Sequence, residues 1–286
     1  MFIMEHSCVF PVKKMCQTLN VSKSSYYYYR GQNGNRRREE DNVLLGNIME
    51  VHKNSNGIYG YRRVREDINP TMRCSYNRVA RLMKENHIRS KIKRKFRVTT
   101  WSHHKKAVAP DLLKKEFKAQ DRDEIWASDI TYIWTQEGWL YLTVILDIYS
   151  RRIVGWSLEN TLKSDIVRKA LLKALYDREP QRGLILHSDR GVQYASDRVR
   201  DIIKAYGIRQ SMSATGDCYG NAITETFFHT LKTEHVFFQN YETREAAKLS
   251  MFEYIEMFYN RSRSHSSIGY MSPEKFEQLS SNGGMI

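Results

Sequence analysis

The sequence predicts an α/β domain with a mixed sheet flanked by helices in residues 120–280, preceded by a small all-α region. Stretches rich in β-branched and aromatic residues begin at Ile125 and alternate with helical patterns further along the chain. Upstream of them, apolar residues recur at helical spacing. Residues 1–118 also hold 26 Lys and Arg against 10 Asp and Glu, a net charge of +16, whereas residues 119–286 carry a net charge of −2. The two parts therefore differ in both pattern and charge.

The first segment, residues 1–38, is predicted to be short helices followed by a linker. Val12–Leu19 has a helical pattern, and Ser22 is a suitable N-cap for a second helix over Ser24–Arg30. Residues 31–38 are rich in Gly and Asn and end in three arginines, a composition typical of a linker.

Residues 39–100 are predicted to form a helix-turn-helix-like domain with a basic arm. Asn69-Pro70 breaks the chain between the second and third helices, and Ser75 is placed to cap the third. The third helix is the candidate for insertion into a DNA groove. Apolar stripes mark the three helices: Leu44, Leu45, Ile48 and Val51; Tyr61, Val64 and Ile68; and Val79, Leu82 and Met83.

Cations in this domain point to a polyanionic partner, because clustered Lys and Arg gain affinity for phosphates by releasing counterions. Those on the third helix lie away from its apolar side, and those of the arm alternate, so that an extended segment carries them on one side and binds phosphates rather than bases. A solvated charged face or strand edge is the alternative. The candidates are Arg78, Arg81 and Lys84 on the helix and Lys91, Lys93, Lys95 and Arg97 in the arm. Residues 101–119 are interpreted as a linker.

The remaining composition argues against several other classes of protein. The four cysteines form no CxxC pair and no zinc-type cluster with histidines, so they are interpreted as reduced thiols. The longest apolar stretch, Trp139–Leu146, is far shorter than the ~20 residues of a membrane helix, and no secretory signal pattern is present. A cytoplasmic protein is expected.

In the α/β domain, three β-rich stretches separated by short turns predict an antiparallel meander, and helices and strands alternate after it. The meander strands are Ile125–Trp134, Trp139–Leu146 and Arg152–Leu158. The later elements are a helix Ser164–Tyr176, a buried strand Leu184–His187, a helix Ser196–Tyr206 and a short strand Ile208–Met212.

Three carboxylates in this domain are candidate metal ligands. Asp129 lies inside the first strand, where an unpaired buried charge costs several kcal/mol and needs compensation. Asp189 ends the fourth strand, at the carboxyl edge where α/β sheets commonly place sites. Glu225 lies on a predicted helix, on one polar stripe with Asn221, His229 and Lys232.

Such a set suits hard divalent cations, which prefer oxygen ligands and keep water molecules that substrate phosphates can displace. Two such ions ~3.5–4 Å apart activate the attacking oxygen and stabilise the leaving one in phosphoryl transfer. The three carboxylates therefore predict two-metal chemistry on phosphodiesters.

The motifs around these residues resemble those of the insertion-sequence transposases of the IS-three family, whose second reading frame encodes a retroviral-integrase-type core. Thirty-five residues separate Asp189 from Glu225, the spacing after which this Asp-Asp-Glu family is named. The resemblance covers residues 120–278 closely and residues 41–98 as well. Its main segments are residues 126–132, 139–147, 150–156, 187–194 and 258–265, together with Asn221-Ala222 and Phe227-Phe228.

This resemblance implies a ribonuclease-H-like fold in which Asp129, Asp189 and Glu225 hold Mg²⁺ or Mn²⁺, two ions in all. The implied reaction cuts DNA with water and joins the 3′-hydroxyl to new DNA. Implied partners are the ends of the element, the target DNA, further copies of the chain in the active complex, and an upstream-frame helix-turn-helix protein. Lys232 is a candidate DNA contact because it shares the stripe of Glu225.

One departure from the family pattern leaves an alternative open. Gly220 stands where the family usually has Asp before the catalytic helix, and Asp217 stands where Asn or Ser is more common. A DNA-binding regulator built on an inactive core is therefore the alternative function, and a metal-dependent nuclease without joining activity is a second one.

Four further residues attract functional interpretations. Asp147 is interpreted as a structural carboxylate, and His187 either as a ligand-orienting or as a structural histidine. Arg263 and His265, which follow the last predicted helix, are interpreted as phosphate contacts or, more simply, as caps of that helix.

Overall fold

The computed structural model describes residues 2–31, 36–91, 108–114, 116–213 and 221–281. The chain divides into two compact units, residues 1–89 and residues 90–286. The boundary between the units falls close to the end of the basic, helical part of the sequence.

In the first unit the described residues are helical. Ser22 Oγ accepts a hydrogen bond from Ser25 N (3.0 Å), and Ser75 Oγ accepts one from Arg78 N (3.2 Å), so both predicted N-caps are confirmed. Leu44, Ile48, Val64, Ile68 and Val79 are buried, as the apolar stripes predict, whereas Tyr61 of the second stripe is exposed. The helices are α1 (Phe2–Glu5), α2 (Val12–Thr18), α3 (Lys23–Gly31), α4 (Arg36–Asn54), α5 (Tyr61–Ile68) and α6 (Tyr76–Glu85).

The predicted linker over residues 31–38 is wrong at both ends. Gly31 closes α3, and α4 already begins at Arg36. Arg and Glu are strong helix formers, so the charged run that opens α4 continues the helix of the following apolar stripe. Helix α1 was not expected from the sequence.

The second unit is built on a five-stranded mixed sheet with strand order β3-β2-β1-β4-β5. The first three strands are antiparallel, and β4 and β5 run parallel to β1, which confirms the predicted α/β class and the meander. The strands are β1 (Ile125–Thr135), β2 (Gly138–Asp147), β3 (Ile153–Glu159), β4 (Ile185–Ser188) and β5 (Arg209–Met212).

Helices cover both faces of the sheet and create two apolar cores. One core packs α7 and α8 against Trp126, Ile145 and Leu186, and the other packs α9 and α10 against Ile133 and Leu142. Alternate residues of β1 enter the two cores, as the pleat requires. The helices are α7 (Asp165–Arg178), α8 (Asp197–Ala205), α9 (Ala222–Glu234), α10 (Arg244–Phe252) and α11 (Pro273–Ser281), with a π-helical turn over Glu253–Tyr259.

Close packing between β3 and α7 depends on one glycine. A Cβ atom on Gly155 would lie 2.4 Å from the Ala170 carbonyl oxygen, so a larger residue would push α7 away from the sheet.

No helix among the described residues is long and apolar enough to cross a membrane. Cys8, Cys16 and Cys74 carry free thiols, as expected, while Cys218 lies outside the described residues.

Candidate active site

Asp129 lies on β1 at the point where the parallel pairing with β4 stops. The pairing of β1 with β4 runs from Ile125 to Ser128 in the described residues, whereas β2 remains paired with β1 along its whole length. One carboxylate oxygen of Asp129, Oδ1, accepts a hydrogen bond from Ile130 N (2.7 Å). Asp129 is therefore the first residue of β1 beyond the described pairing with β4.

Asp189 directly follows β4 and is fixed by a tight turn. Its Oδ1 accepts a hydrogen bond from Gly191 N (2.9 Å), and a Cβ atom on Gly191 would lie 2.8 Å from that oxygen. Glycine therefore permits the turn that holds the Asp189 carboxylate beside the carboxyl end of β4.

Glu225 is exposed in the first turn of α9, and Asn221 ties that helix to β1. Asn221 is buried at the N-cap of α9, and its Nδ2 donates a hydrogen bond to Ser128 O (3.2 Å). Because Ser128 directly precedes Asp129, this bond sets the start of α9 against the strand that carries the first carboxylate. Phe227, Phe228 and Leu231 anchor the other side of α9 in the core, as the sequence predicts.

The three carboxylates interact electrostatically, because the charges of Asp189 and Glu225 both act on Asp129. Burial, followed by the negative charges of Asp189 and then Glu225, raises the pKa of Asp129 well above its ordinary value. The Ile130 N–H and the Lys232 ammonium act in the opposite direction. Burial also raises the pKa of Glu225, although the residue as a whole is exposed. The surroundings of Asp129 therefore have an excess of negative charge.

Lys232 is a cation whose charge acts on Asp129. It is half-buried, burial lowers the pKa of its ammonium, and Asp129 partly opposes that shift. Its Nζ also lies 4.8 Å from the centre of the Tyr132 ring, within cation–π range. One ammonium does not neutralise three carboxylates.

The donor set fits a divalent cation in kind, although its side chains do not form a ready coordination sphere. Among the described residues, no three His, Cys, Asp or Glu side chains are arranged to hold a metal ion as they stand. The observation in favour of a cation is that burial and then the charges of Asp189 and Glu225 raise the pKa of Asp129, because hard divalent ions stabilise oxygen-rich sites of this charge.

Tyr194 completes the surroundings of the two aspartates and was missed by the sequence analysis as a separate candidate. It is fully buried, and its hydroxyl lies 2.9 Å from Ser128 Oγ, which in turn donates to Val144 O. Burial, then the charges of Asp129 and Asp189, raise the pKa of Tyr194 well above its ordinary value. A tyrosine in a turn after a strand carries no sequence signal of this contact.

Asp147 has the structural role that the sequence suggested. It is fully buried and accepts hydrogen bonds from Ser150 N (3.0 Å), Ser150 Oγ (2.7 Å) and Asp123 N (3.1 Å). Burial raises the pKa of Asp147 to about 6. His187 is buried with its Nδ1 2.8 Å from Ser211 Oγ, which matches the structural interpretation of this histidine.

The interpretation of Arg263 as a phosphate contact is wrong, whereas its backbone N–H donates to Phe258 O (2.7 Å) and so closes the preceding helix. Arg263 is buried, and its Nε and Nη2 donate to the two carboxylate oxygens of Glu234, each at 2.8 Å. The pair joins the end of α9 to the chain that leads into α11, a helix that follows Arg263. His265 makes a backbone hydrogen bond to Met271 O (3.0 Å) in that segment.

In the first unit, two of the three candidate DNA contacts on α6 take part in ion pairs. Arg78 Nε and Arg81 Nη2 each lie 2.6 Å from a different carboxylate oxygen of Asp41 on α4, and Arg81 also pairs with Glu85. Burial alone would raise the pKa of Asp41, but hydrogen bonds from Arg81 and Arg78 outweigh it and lower the pKa. Lys84, on the same helix, is exposed.

Of the basic arm, Lys91 is described and exposed. Lys93, Lys95 and Arg97 lie outside the described residues, as do Asp217 and Gly220, where the sequence departs from the family pattern.

Comparisons with known proteins agree with this architecture. The chain matches the Integrase core domain over residues 119–218 and again over residues 225–280, and the HTH-like domain over residues 39–96. It is 40% identical over 265 residues to the uncharacterized 31 kDa protein of insertion element IS600 from Shigella sonnei, covering 92% of this chain and 97% of that protein. It is 37% identical over 283 residues to transposase InsF for insertion sequence IS3A from Escherichia coli strain K12, covering 96% and 97% respectively.

Solved structures with similar architecture include integrase catalytic cores. The HTLV-2 integrase catalytic core domain in complex with magnesium, in a trimeric form, is 15% identical, covers 56% of this chain and 99% of that chain, and has a TM-score of 0.44. The BIV integrase catalytic core domain is 18% identical, covers 56% and 97%, and has a TM-score of 0.42. Both scores are below 0.5, so the assignment of this chain rests on the sequence relatives.

Proposed function

This chain belongs to the IS3 (IS-three) family of insertion-sequence transposases, and we propose that Asp129, Asp189 and Glu225 carry its chemistry on DNA. Membership makes it an enzyme of DNA transposition, which cuts and joins DNA. The observation that carries the proposal is the hydrogen bond from Asn221 Nδ2 to Ser128 O (3.2 Å), which sets the start of the Glu225 helix against the strand of Asp129; the charges of Asp189 and Glu225 on Asp129 support it. An integrase core domain with this charge arrangement is suited to phosphoryl transfer.

In the proposed reaction, each carboxylate contributes a negatively charged ligand at a defined place on the fold. Asp129 on β1 and Asp189 after β4 form the rigid half, because strand pairing and the Gly191 turn fix them. Glu225 approaches from α9, whose start is set by the bond from Asn221 to Ser128 O. Asn221 and Tyr194 are positioning residues in this scheme.

We propose that these carboxylates hold two Mg²⁺ or Mn²⁺ ions, which supply charge stabilisation for the attacking and leaving oxygens of the phosphodiester. The chain's own part is to concentrate negative charge where a cation binds and to keep Asp129 in a buried environment, where electrostatic interactions are stronger than in water. Lys232 is proposed to contact the DNA backbone next to the carboxylates.

The helix-turn-helix-like region and its basic arm are proposed to bind DNA through phosphate contacts. Domain boundaries at residues 39–100 for the helix-turn-helix region and 120–280 for the core are proposed with it. Gln at all four arm positions (Lys91, Lys93, Lys95 and Arg97) is expected to weaken binding and to flatten the slope of log affinity against log salt by about 3–4. An unchanged salt dependence would mean that the arm does not contact DNA phosphates.

The active complex is proposed to contain more than one copy of the chain, as the family implies. The upstream-frame helix-turn-helix protein stays an expectation of the resemblance.

The experiment is a strand-transfer assay with the purified full chain, labelled element ends and Mg²⁺, beside Asp189→Asn. We expect joined products from the wild type and none from the variant, with DNA binding equal in both.

Other outcomes separate the alternatives. Metal-dependent cleavage without joined products would indicate the nuclease. DNA binding without products from either protein would favour the inactive regulator, and Gly220→Asp tests whether that position disables the core. Products from Asp189→Asn would refute the assignment of this ligand.

A further inference from the structure

Three aromatic side chains form an exposed cluster on the β1–β2 hairpin, a short distance along β1 from Asp129. Tyr132, Trp134 and Trp139 expose 37%, 56% and 44% of their surfaces, respectively. The ring of Trp139 lies 4.8 Å from that of Trp134 and 5.1 Å from that of Tyr132, with edge-to-face geometry in both pairs. Trp134 and Trp139 are direct cross-strand partners, so the two indoles share one face of the sheet.

The exposure of this aromatic cluster is unusual for apolar side chains on a sheet. Aromatic rings bury large apolar areas, and sheets usually cover them with helices, as α7 covers the same face of β1 at Trp126. Edge-to-face packing also leaves ring faces open for a further flat group.

Lys232 connects the aromatic cluster with the carboxylate site. Its ammonium interacts with the Tyr132 ring on one side and with the Asp129 charge on the other. Side chains alternate along a strand, so Asp129 and Tyr132 project from opposite faces of β1. Lys232 therefore interacts with residues on both faces of β1, beyond the last β1 residue that pairs with β4 in the described part of the chain.

From this arrangement we infer that the aromatic cluster stacks on bases of unpaired DNA leading away from the reacting phosphate, with Lys232 on the connecting backbone. This inference rests on the proposed function, because it takes the carboxylates to be the DNA-cutting site. Tyr132 is three residues beyond Asp129, roughly 10 Å along an extended strand.

The occupant is unpaired rather than double-stranded because its path bends around the edge of a strand. Duplex DNA is stiff over about 150 base pairs, whereas a single strand follows such an edge and exposes its bases. Aromatic rings next to a cation are the features with which proteins bind single strands, and they tolerate any base sequence because every base has a flat face.

The test measures binding of the full chain, in EDTA, to a labelled single-stranded oligonucleotide of about twelve nucleotides and to the same backbone carrying abasic sites. Phosphate contacts are common to both probes, so the ratio of the two affinities isolates stacking. We expect the wild type to prefer the base-bearing strand by about tenfold or more. In the double variant Trp134→Ala, Trp139→Ala this preference is expected to fall below about twofold.

Two controls accompany the variant. The double variant Trp134→Phe, Trp139→Phe retains flat rings and is expected to retain most of the preference. Tyr176→Ala removes another exposed aromatic residue of the same unit, on α7, and is expected to leave the preference unchanged.

A base preference that survives the alanine double variant would overturn the inference and place stacking elsewhere, and so would the absence of any preference in the wild type. Sedimentation that showed a loss of oligomer in the alanine variant, with the base preference intact, would assign the aromatic cluster to a contact between copies and equally overturn it. Since the measurement needs no metal or cleavage, an inactive Asp189→Asn protein is expected to keep the wild-type ratio of the two affinities. A failed strand-transfer assay would therefore refute the catalytic proposal without deciding this one.

Discussion

Two aspartates, one in each unit, show how differently the chain treats a carboxylate. Asp41 on α4 pairs with two arginines from α6, and its pKa is lowered even though burial opposes that shift. Asp129 on β1 lies among other carboxylates, and its pKa is raised by burial, then by Asp189 and Glu225. A paired charge fixes two helices together, whereas gathered like charges destabilise the fold until a cation binds.

The largest effect that this contrast predicts is on catalysis. Glu225→Gln removes one of the gathered charges and is expected to lower Mg²⁺-dependent cleavage by roughly 10³-fold or more, because the metal supplies several kcal/mol of charge stabilisation. DNA binding is expected to be retained in gel-shift measurements. Asp197→Asn, an exposed carboxylate of α8, is the control and keeps full activity. Cleavage retained in Glu225→Gln would mean that Glu225 is not a ligand.

The second unit also contains a buried ion pair, Arg263 with Glu234, which can be compared with the like charges around Asp129 in the same unit. Arg263→Ala leaves Glu234 buried without its partner and is expected to lower the free energy of unfolding by about 3–5 kcal/mol. Chemical denaturation measures the effect. Arg261→Ala, two residues earlier but exposed and 3.7 Å from Glu274, is expected to cost less than about 1 kcal/mol. Equal losses in the two variants would contradict the structural role of the buried pair.

Asp147 provides a pH test, because its carboxylate is buried but hydrogen-bonded. Its pKa in the folded chain is about 6, against an ordinary 3.8, so the native state keeps a proton that the unfolded chain has lost. The free energy of unfolding is therefore expected to fall as the pH rises from about 4 through about 6, by about 2 kcal/mol.

Denaturation of the wild type and Asp147→Asn between about pH 4 and about pH 7 checks this dependence. The difference between the two proteins cancels the contributions of groups that both retain, Asp129 among them. Parallel pH curves would show that Asp147 does not titrate in this range.

The smallest expected effect concerns Asp41 itself. Asp41→Asn is expected to cost about 1 kcal/mol of unfolding free energy, since the pair is only partly buried. DNA affinity is expected to rise severalfold because a negative charge is lost and Arg78 and Arg81 are released to phosphates. Glu39→Gln on the same helix is the control for charge alone. A fall in affinity would instead mean that Asp41 holds the arginines in their DNA-binding positions.

The sequence predicted the parts of this account that depend on local pattern. The strands of the meander, the helix under Glu225 and the caps at Ser22 and Ser75 follow from periodicity and residue type within a few positions. The family resemblance of the core rests on ordered motifs, which the relatives confirm.

What the sequence could not predict are partners that are distant along the chain. Arg78 and Arg81 meet Asp41 from 37 and 40 residues away, and Arg263 meets Glu234 from 29 residues away. The cations were therefore interpreted as DNA or phosphate contacts, because an unpaired arginine and an arginine whose partner is remote give the same local pattern. The predicted linker extends too far, to residue 38, because its composition does not show that the helix of the following apolar stripe already begins at Arg36.

The most direct test of the contrast between the two aspartates is the unfolding temperature of wild type and Asp129→Asn, each in EDTA and in Mg²⁺. We predict that in EDTA the variant unfolds at a higher temperature by a few degrees, because it lacks a buried charge repelled by Asp189 and Glu225. Mg²⁺ is predicted to raise the unfolding temperature of the wild type but not of the variant, since binding to the native state alone stabilises it. An equal response of both proteins to Mg²⁺ would contradict the claim that these gathered carboxylates hold the metal.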